Sequence, residues 1–101
     1  MRTTRKQLDS LLQIIAKYTN QATTREEAKE KGLNGFLWLD YAPIYGGYRV
    51  VKVGIENGAH YGALGFGSTD TRLSASLMYD RLHTILTTID YISKLEPRNE
   101  Y

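Results

Sequence analysis

The residues best placed to do chemistry in this chain stand together at Gly62-Ala63-Leu64-Gly65-Phe66-Gly67-Ser68-Thr69. The run passes from alternating apolar residues into glycines and two hydroxyls, the composition of a strand that feeds a helix. Free backbone amides and the positive end of a helix dipole suit such a junction to an anion, which makes Gly65, Gly67, Ser68 and Thr69 candidate ligands for a phosphate. The run lacks the lysine of a P-loop and the spacing of the dinucleotide glycine motif, and Asp70 sets a negative charge beside it. The alternative role is structural, with Gly65 and Gly67 serving strand geometry and Ser68 or Thr69 capping the helix.

A second candidate is aromatic. The chain has eight tyrosines, and Tyr41, Tyr45, Tyr48 and Tyr61 fall in or beside the segments that read as strands. Tyrosine offers a rigid ring for stacking a base or meeting a protein, although it is also a common strand former. Arg49 and Lys52 stand among these rings and add charge, so Tyr48, Arg49, Lys52 and Tyr61 together suit a nucleobase joined to a phosphate. Catalysis has no comparable set. His60 and His83 have no nucleophile or carboxylate at a telling spacing, no histidines stand at metal-ligand spacing, and there is no cysteine. The chain therefore reads as a binding protein rather than an enzyme, with no cofactor.

These residues need elements to position them. Thr4 and Gln7 form a capping box, and Leu8, Leu11, Leu12, Ile15 and Tyr18 recur at helical spacing, which predicts a helix from Thr4 to Thr19 with Asn20 as a left-handed cap. Residues 20–35 are polar. Thr24 and Glu27 form a second capping box there, so the segment is either a short helical turn over Glu26 to Lys31 or a connection that orders on contact with something else. Phe36 to Ala42 and Tyr48 to Glu56 read as strands, and Asn57-Gly58 signals a two-residue type I′ hairpin. That loop sets Glu56 opposite Ala59, Ile55 opposite His60, Val53 opposite Gly62 and Val51 opposite Leu64. Val51, Val53, Ile55, Leu64 and Phe66 then form the core face, and Tyr48, Val50, Lys52, Tyr61 and Ala63 the outer face. A last helix is predicted from Thr69 to Leu95, ahead of Pro97. Its seam of Ala75, Met78, Leu82, Ile85, Ile89 and Ile92, widened by Leu77 and Leu86, exceeds what one small sheet needs.

The resulting fold class is α+β in the order α-β-β-β-α, a three-stranded antiparallel sheet packed on two helices and forming a single domain over 1–101. Its 101 residues, 42% hydrophobic and 24% charged, suit one globular core. The net charge of +2 is small for a strongly basic nucleic-acid binder. Arg2, Arg5, Lys6 and Lys17 nevertheless gather positive charge on the first helix. No apolar run reaches the length of a membrane span, and no signal-peptide core follows the basic residues at the start, so a cytoplasmic protein is expected.

The element order resembles that of double-stranded RNA-binding domains. Those domains read RNA through the first helix, the loop between the first two strands and lysines opening the last helix. Here the loop is Ala42-Pro43-Ile44-Tyr45, without the family's histidine, and the last helix is expected to open Thr69-Asp70-Thr71-Arg72, with an acid where lysines belong. Gly46-Gly47-Tyr48-Arg49 and Met78-Tyr79-Asp80-Arg81-Leu82, behind a leading amphipathic helix, resemble small accessory proteins of tailed bacteriophages and integrated elements. That resemblance implies action in the host cytoplasm, against host defence.

The functional expectation is a non-enzymatic binding module. It captures a small phosphate-bearing ligand such as a nucleotide signal, and it is a homo-oligomer through the 75–92 helix. The alternative is a protein that blocks or bridges a host protein partner through the same surface, with nucleic-acid binding as a lesser reading.

Overall fold

Thr4 opens the first helix. Its hydroxyl accepts from the Gln7 N–H at 3.3 Å, while the Gln7 side chain accepts from the Thr4 N–H at 2.8 Å, the reciprocal cap that the sequence predicts. In the computed structural model, which describes residues 3–62 and 72–95, this helix is α1, Arg5–Tyr18. Asn20 follows it in the left-handed conformation, φ 55°. The polar connection contains a second helix, α2, Arg25–Lys31, capped by the Thr24 hydroxyl and ended by Gly32. It needs no large apolar face because one small residue carries its contact: Ala28 is fully buried, as is Ala22 just before the helix.

The sheet is antiparallel in the order β1-β2-β3, with β1 Gly35–Ala42, β2 Gly47–Gly54 and β3 His60–Gly62. A 3-10 turn, Pro43–Tyr45, joins the first two strands. The last helix, α3, is Ala75–Ser93. The fold is thus α+β, with α1 and α3 laid on one face of a three-stranded antiparallel sheet. Leu8, Leu12, Ile15 and Ala16 of α1, Leu37 and Leu39 of β1, Val50 of β2, and Met78 and Leu82 of α3 make the core between them.

Three predicted details differ. The face is reversed: Val50 belongs to the helix-covered side with Tyr48 packed beside it, whereas Val51 and Val53, though buried, lie on the opposite side across from Trp38 and Phe36. Strand β2 carries valines at both parities, so alternation alone does not say which side receives the helices.

The hairpin loop is longer than predicted. Val53 faces His60 and Val51 faces Gly62, and the Gly54 N–H reaches the Ala59 carbonyl at 2.9 Å, so residues 55–58 form a four-residue loop. Ile55 sits in this turn rather than in the core face. Its N–H donates to the Asn34 carbonyl at 3.0 Å and its carbonyl accepts from Arg25 at 2.6 Å, which takes it out of the ladder. Only Gly58 of the Asn57-Gly58 pair has positive φ, whereas a type I′ turn needs both.

The last helix also begins later than Thr69. Tyr48 and Leu73 exchange both backbone hydrogen bonds at 2.8 Å, an extended pairing that excludes helix through Leu73. Ser74 then caps α3, its hydroxyl accepting from the Leu77 N–H. The predicted core residues Leu64 and Phe66, and Ala63 on the other face, lie outside the described residues.

Candidate functional site

Of the eight predicted site residues, the four that the structure describes do not share one surface. Tyr48 is half-buried against the core and stacks at a tilt on Tyr41, ring centroids 4.5 Å apart. Arg49 follows it on β2 and so projects from the opposite face, where it meets Asp40 at 2.8 Å. Lys52 and Tyr61, expected on the outer face, are direct cross-strand partners on the same side of the sheet as Val50 and Leu37. Gly65, Gly67, Ser68 and Thr69 lie outside the described residues. The positive end of α3 stands at Ser74, later in sequence than the predicted start at Thr69.

The Lys52–Tyr61 pair lines a cleft of about 500 Å³ together with Leu33, Asn34, Gly54, Ile55, Glu56 and Asn57. The unexpected hairpin geometry builds it. Asn57, held in the four-residue loop, accepts from the Ala59 N–H at 2.9 Å and donates to the Tyr61 hydroxyl at 3.2 Å, which fixes the ring. Gly54 leaves space under that ring: a Cβ there would lie 3.3 Å from Tyr61 and 2.8 Å from the Asn57 side-chain oxygen. Arg25 and Asn34 hold Ile55 by its backbone and so set the far wall. Lys52 makes no ion pair among the described residues and is the one cation of the lining. Glu56 is the one acid of the lining and is not paired with Lys52.

Chemically, the cleft offers an ammonium, a ring pinned by its hydroxyl, a flat glycine floor, and carboxylate and amide groups able to pair with a polar edge. Asn34, Gly54, Glu56 and Asn57 were not among the predicted site residues. A signal for Asn57 existed in its position at a glycine turn four residues before Tyr61, but the two-residue loop reading pointed the turn away from it.

Asp40 is the second polar centre. One of its carboxylate oxygens receives Arg72 at 2.7 Å and Arg49 at 2.8 Å, and Arg72 also donates to the Gly47 carbonyl at 3.0 Å. Burial raises the Asp40 pKa, but the hydrogen bonds and charges of Arg72 and Arg49 outweigh that effect and hold it below the ordinary aspartate value. This centre ties the residues before α3 to the first hairpin.

Comparison with protein-family models, with curated proteins and with solved structures finds no match. The two histidines stand apart from both centres: His60 is exposed on β3, and His83 stacks on Tyr79 at 5.8 Å. Among the described residues no cluster of three or more His, Asp or Glu could hold a metal ion, and no helix is long and apolar enough to cross a membrane.

Proposed function

We propose that this protein is a non-enzymatic binding module that captures a phosphate-bearing ligand with a planar ring, such as a nucleotide signal, in the Lys52–Tyr61 cleft. The observation that carries the reading is the cross-strand pair itself, a cation without an acidic partner beside a ring fixed by Asn57 over a glycine floor. Lys52 meets the phosphate, Tyr61 stacks the ring, and Glu56 and Asn34 pair with its polar edge. Glu56 disfavours a second phosphate close to the hairpin, which selects ligands whose charge lies to the Lys52 side. The protein works as a homo-oligomer in the cytoplasm. Its phage-like motifs, Gly46-Gly47-Tyr48-Arg49 and Met78-Tyr79-Asp80-Arg81-Leu82, suit an accessory role in an infected host.

A thermal-shift screen against mono-, di- and cyclic nucleotides and short nucleic acids tests this. A ligand that binds the native state raises the melting temperature by mass action. The increase should vanish in Lys52→Ala and shrink in Tyr61→Ala, with Arg49→Lys unchanged. Equal responses of Lys52→Ala and wild type would sink the cleft as the site.

A second reading, an interface for a host protein, draws on a different feature. The 3-10 turn after β1 holds Ile44 82% and Tyr45 74% exposed, next to exposed Tyr41. Such a tip suits insertion into a partner's pocket. It gains if no small ligand shifts the melting curve and Ile44→Ser abolishes capture of a host protein.

A further inference from the structure

The stripe of α3 beside the core seam is spaced symmetrically about its midpoint. Leu77, Arg81, Thr84, Thr88, Tyr91 and Leu95 follow at alternating steps of four and three residues, symmetric about Leu86, so they share one stripe of the helix. All six are exposed. Leu77, Tyr91 and Leu95 are 55%, 66% and 53% exposed, although each is a large apolar or aromatic residue. The intramolecular seam of Met78, Leu82, Ile85 and Ile89 lies one residue further round. Between the two, Leu73, Leu77 and Ile85 with Asp80, Arg81 and Thr84 line a shallow groove of about 290 Å³.

We propose that the oligomer read above, on which this proposal rests, is a two-fold dimer in which α3 of a second copy lies antiparallel along this stripe at the level of Leu86. Leu77 then faces Leu95 of the second copy, Arg81 faces Tyr91, and Thr84 faces Thr88. Each contact occurs twice, as a self-complementary interface requires. The partners match in kind: apolar on apolar at both ends, a guanidinium over a tyrosine ring next, and hydroxyl against hydroxyl at the centre. At the flank, Asp80 approaches Lys94 of the other copy, which each chain already pairs with its own Asp90 at 3.1 Å. A parallel arrangement would set Arg81 against Arg81, so charge selects the antiparallel one.

The chain has no cysteine, which permits a clean cross-linking test. Light scattering of the wild-type protein at high micromolar concentration should report twice the 11.5 kDa chain mass. The double variant Thr84→Cys/Thr88→Cys should become a covalent dimer under mild oxidation, while Glu30→Cys on α2 should remain a monomer on the same gel. Leu77→Lys/Leu95→Lys should be a monomer with unchanged helical circular dichroism. A monomeric wild type would overturn both this face and the oligomeric reading. A wild-type dimer that survives the lysine substitutions, or fails to cross-link through positions 84 and 88, would overturn the face alone. Faster cross-linking by Thr84→Cys on its own would mean a parallel pair and would overturn the arrangement. If the lysine variant loses its helical signal, the cross-linking result decides.

Discussion

Asp40 accepts from two arginines that the sequence separates widely, and Arg72 uses the contact to clamp the lead into α3 onto β1 and β2. Because the Asp40 pKa is lower in the folded than in the unfolded chain, its contribution to stability is fully present above the ordinary value of 3.8 and is lost as pH falls through the folded value. Urea unfolding should therefore show this contribution constant near neutrality and declining below about pH 4. Asp40→Asn should remove much of that acid-side decline and cost about 2–3 kcal/mol at neutral pH, since it strips the charge from hydrogen bonds that satisfy two arginines. Parallel acid curves for the variant and the wild type would show that Asp40 does not carry the effect. Arg49 was predicted as a ligand group. Its pairing with Asp40 was hidden because cross-strand partnership depends on a turn conformation that residue types alone leave open.

At the level of elements, the helix start is the sharpest test. Ser74→Ala should lower stability by about 1 kcal/mol, the usual cost of losing a serine cap, and move the melting midpoint down by a few degrees. Gly47→Ala should cost more, about 1–3 kcal/mol, because Gly47 has φ 121° and an added Cβ would press on the Leu73 carbonyl. Equal, negligible effects in calorimetry would contradict the Leu73–Tyr48 pairing. Helix α1 was fully legible because its cap and apolar stripe are local. The start of α3 was not: Ser68, Thr69 and Ser74 are all good caps, and the choice falls to a strand pairing with Tyr48, some twenty-five residues earlier in the chain. The hairpin failed for a similar reason. Asn57-Gly58 favours a tight turn, but Asn34 and Arg25 draw Ile55 out of the ladder.

For the molecule as a whole, the placement of the helices on the Val50 face predicts an order of severity. Val50→Asp puts an unpaired charge in the helix–sheet core and should abolish cooperative unfolding, a loss of several kcal/mol against a total of about 5–15 kcal/mol. Val53→Asp, on the far side, should be the milder variant in denaturant titration. The reverse order would place the helices on the other face. The fold class was legible because element order and periodicity survive small register errors. Of the candidate residues, Lys52 and Tyr61 were readable as sharing a face, since a two-residue shift of the hairpin keeps the same residues together, but neither their direct pairing nor the side covered by the helices was. Of the cleft wall, Gly54 to Asn57 belong to the hairpin itself, and Leu33 and Asn34 come from before β1. The core joins the two ends of the chain: α1 packs more extensively on α3 than on β1. During synthesis the apolar stripe of α1 therefore leaves the ribosome long before Met78 and Leu82 exist to cover it. At about 5–20 residues per second the gap lasts on the order of several seconds. Over that interval the nascent chain offers Leu8, Leu12 and Ile15 to a holding chaperone, and release should follow completion of the last helix.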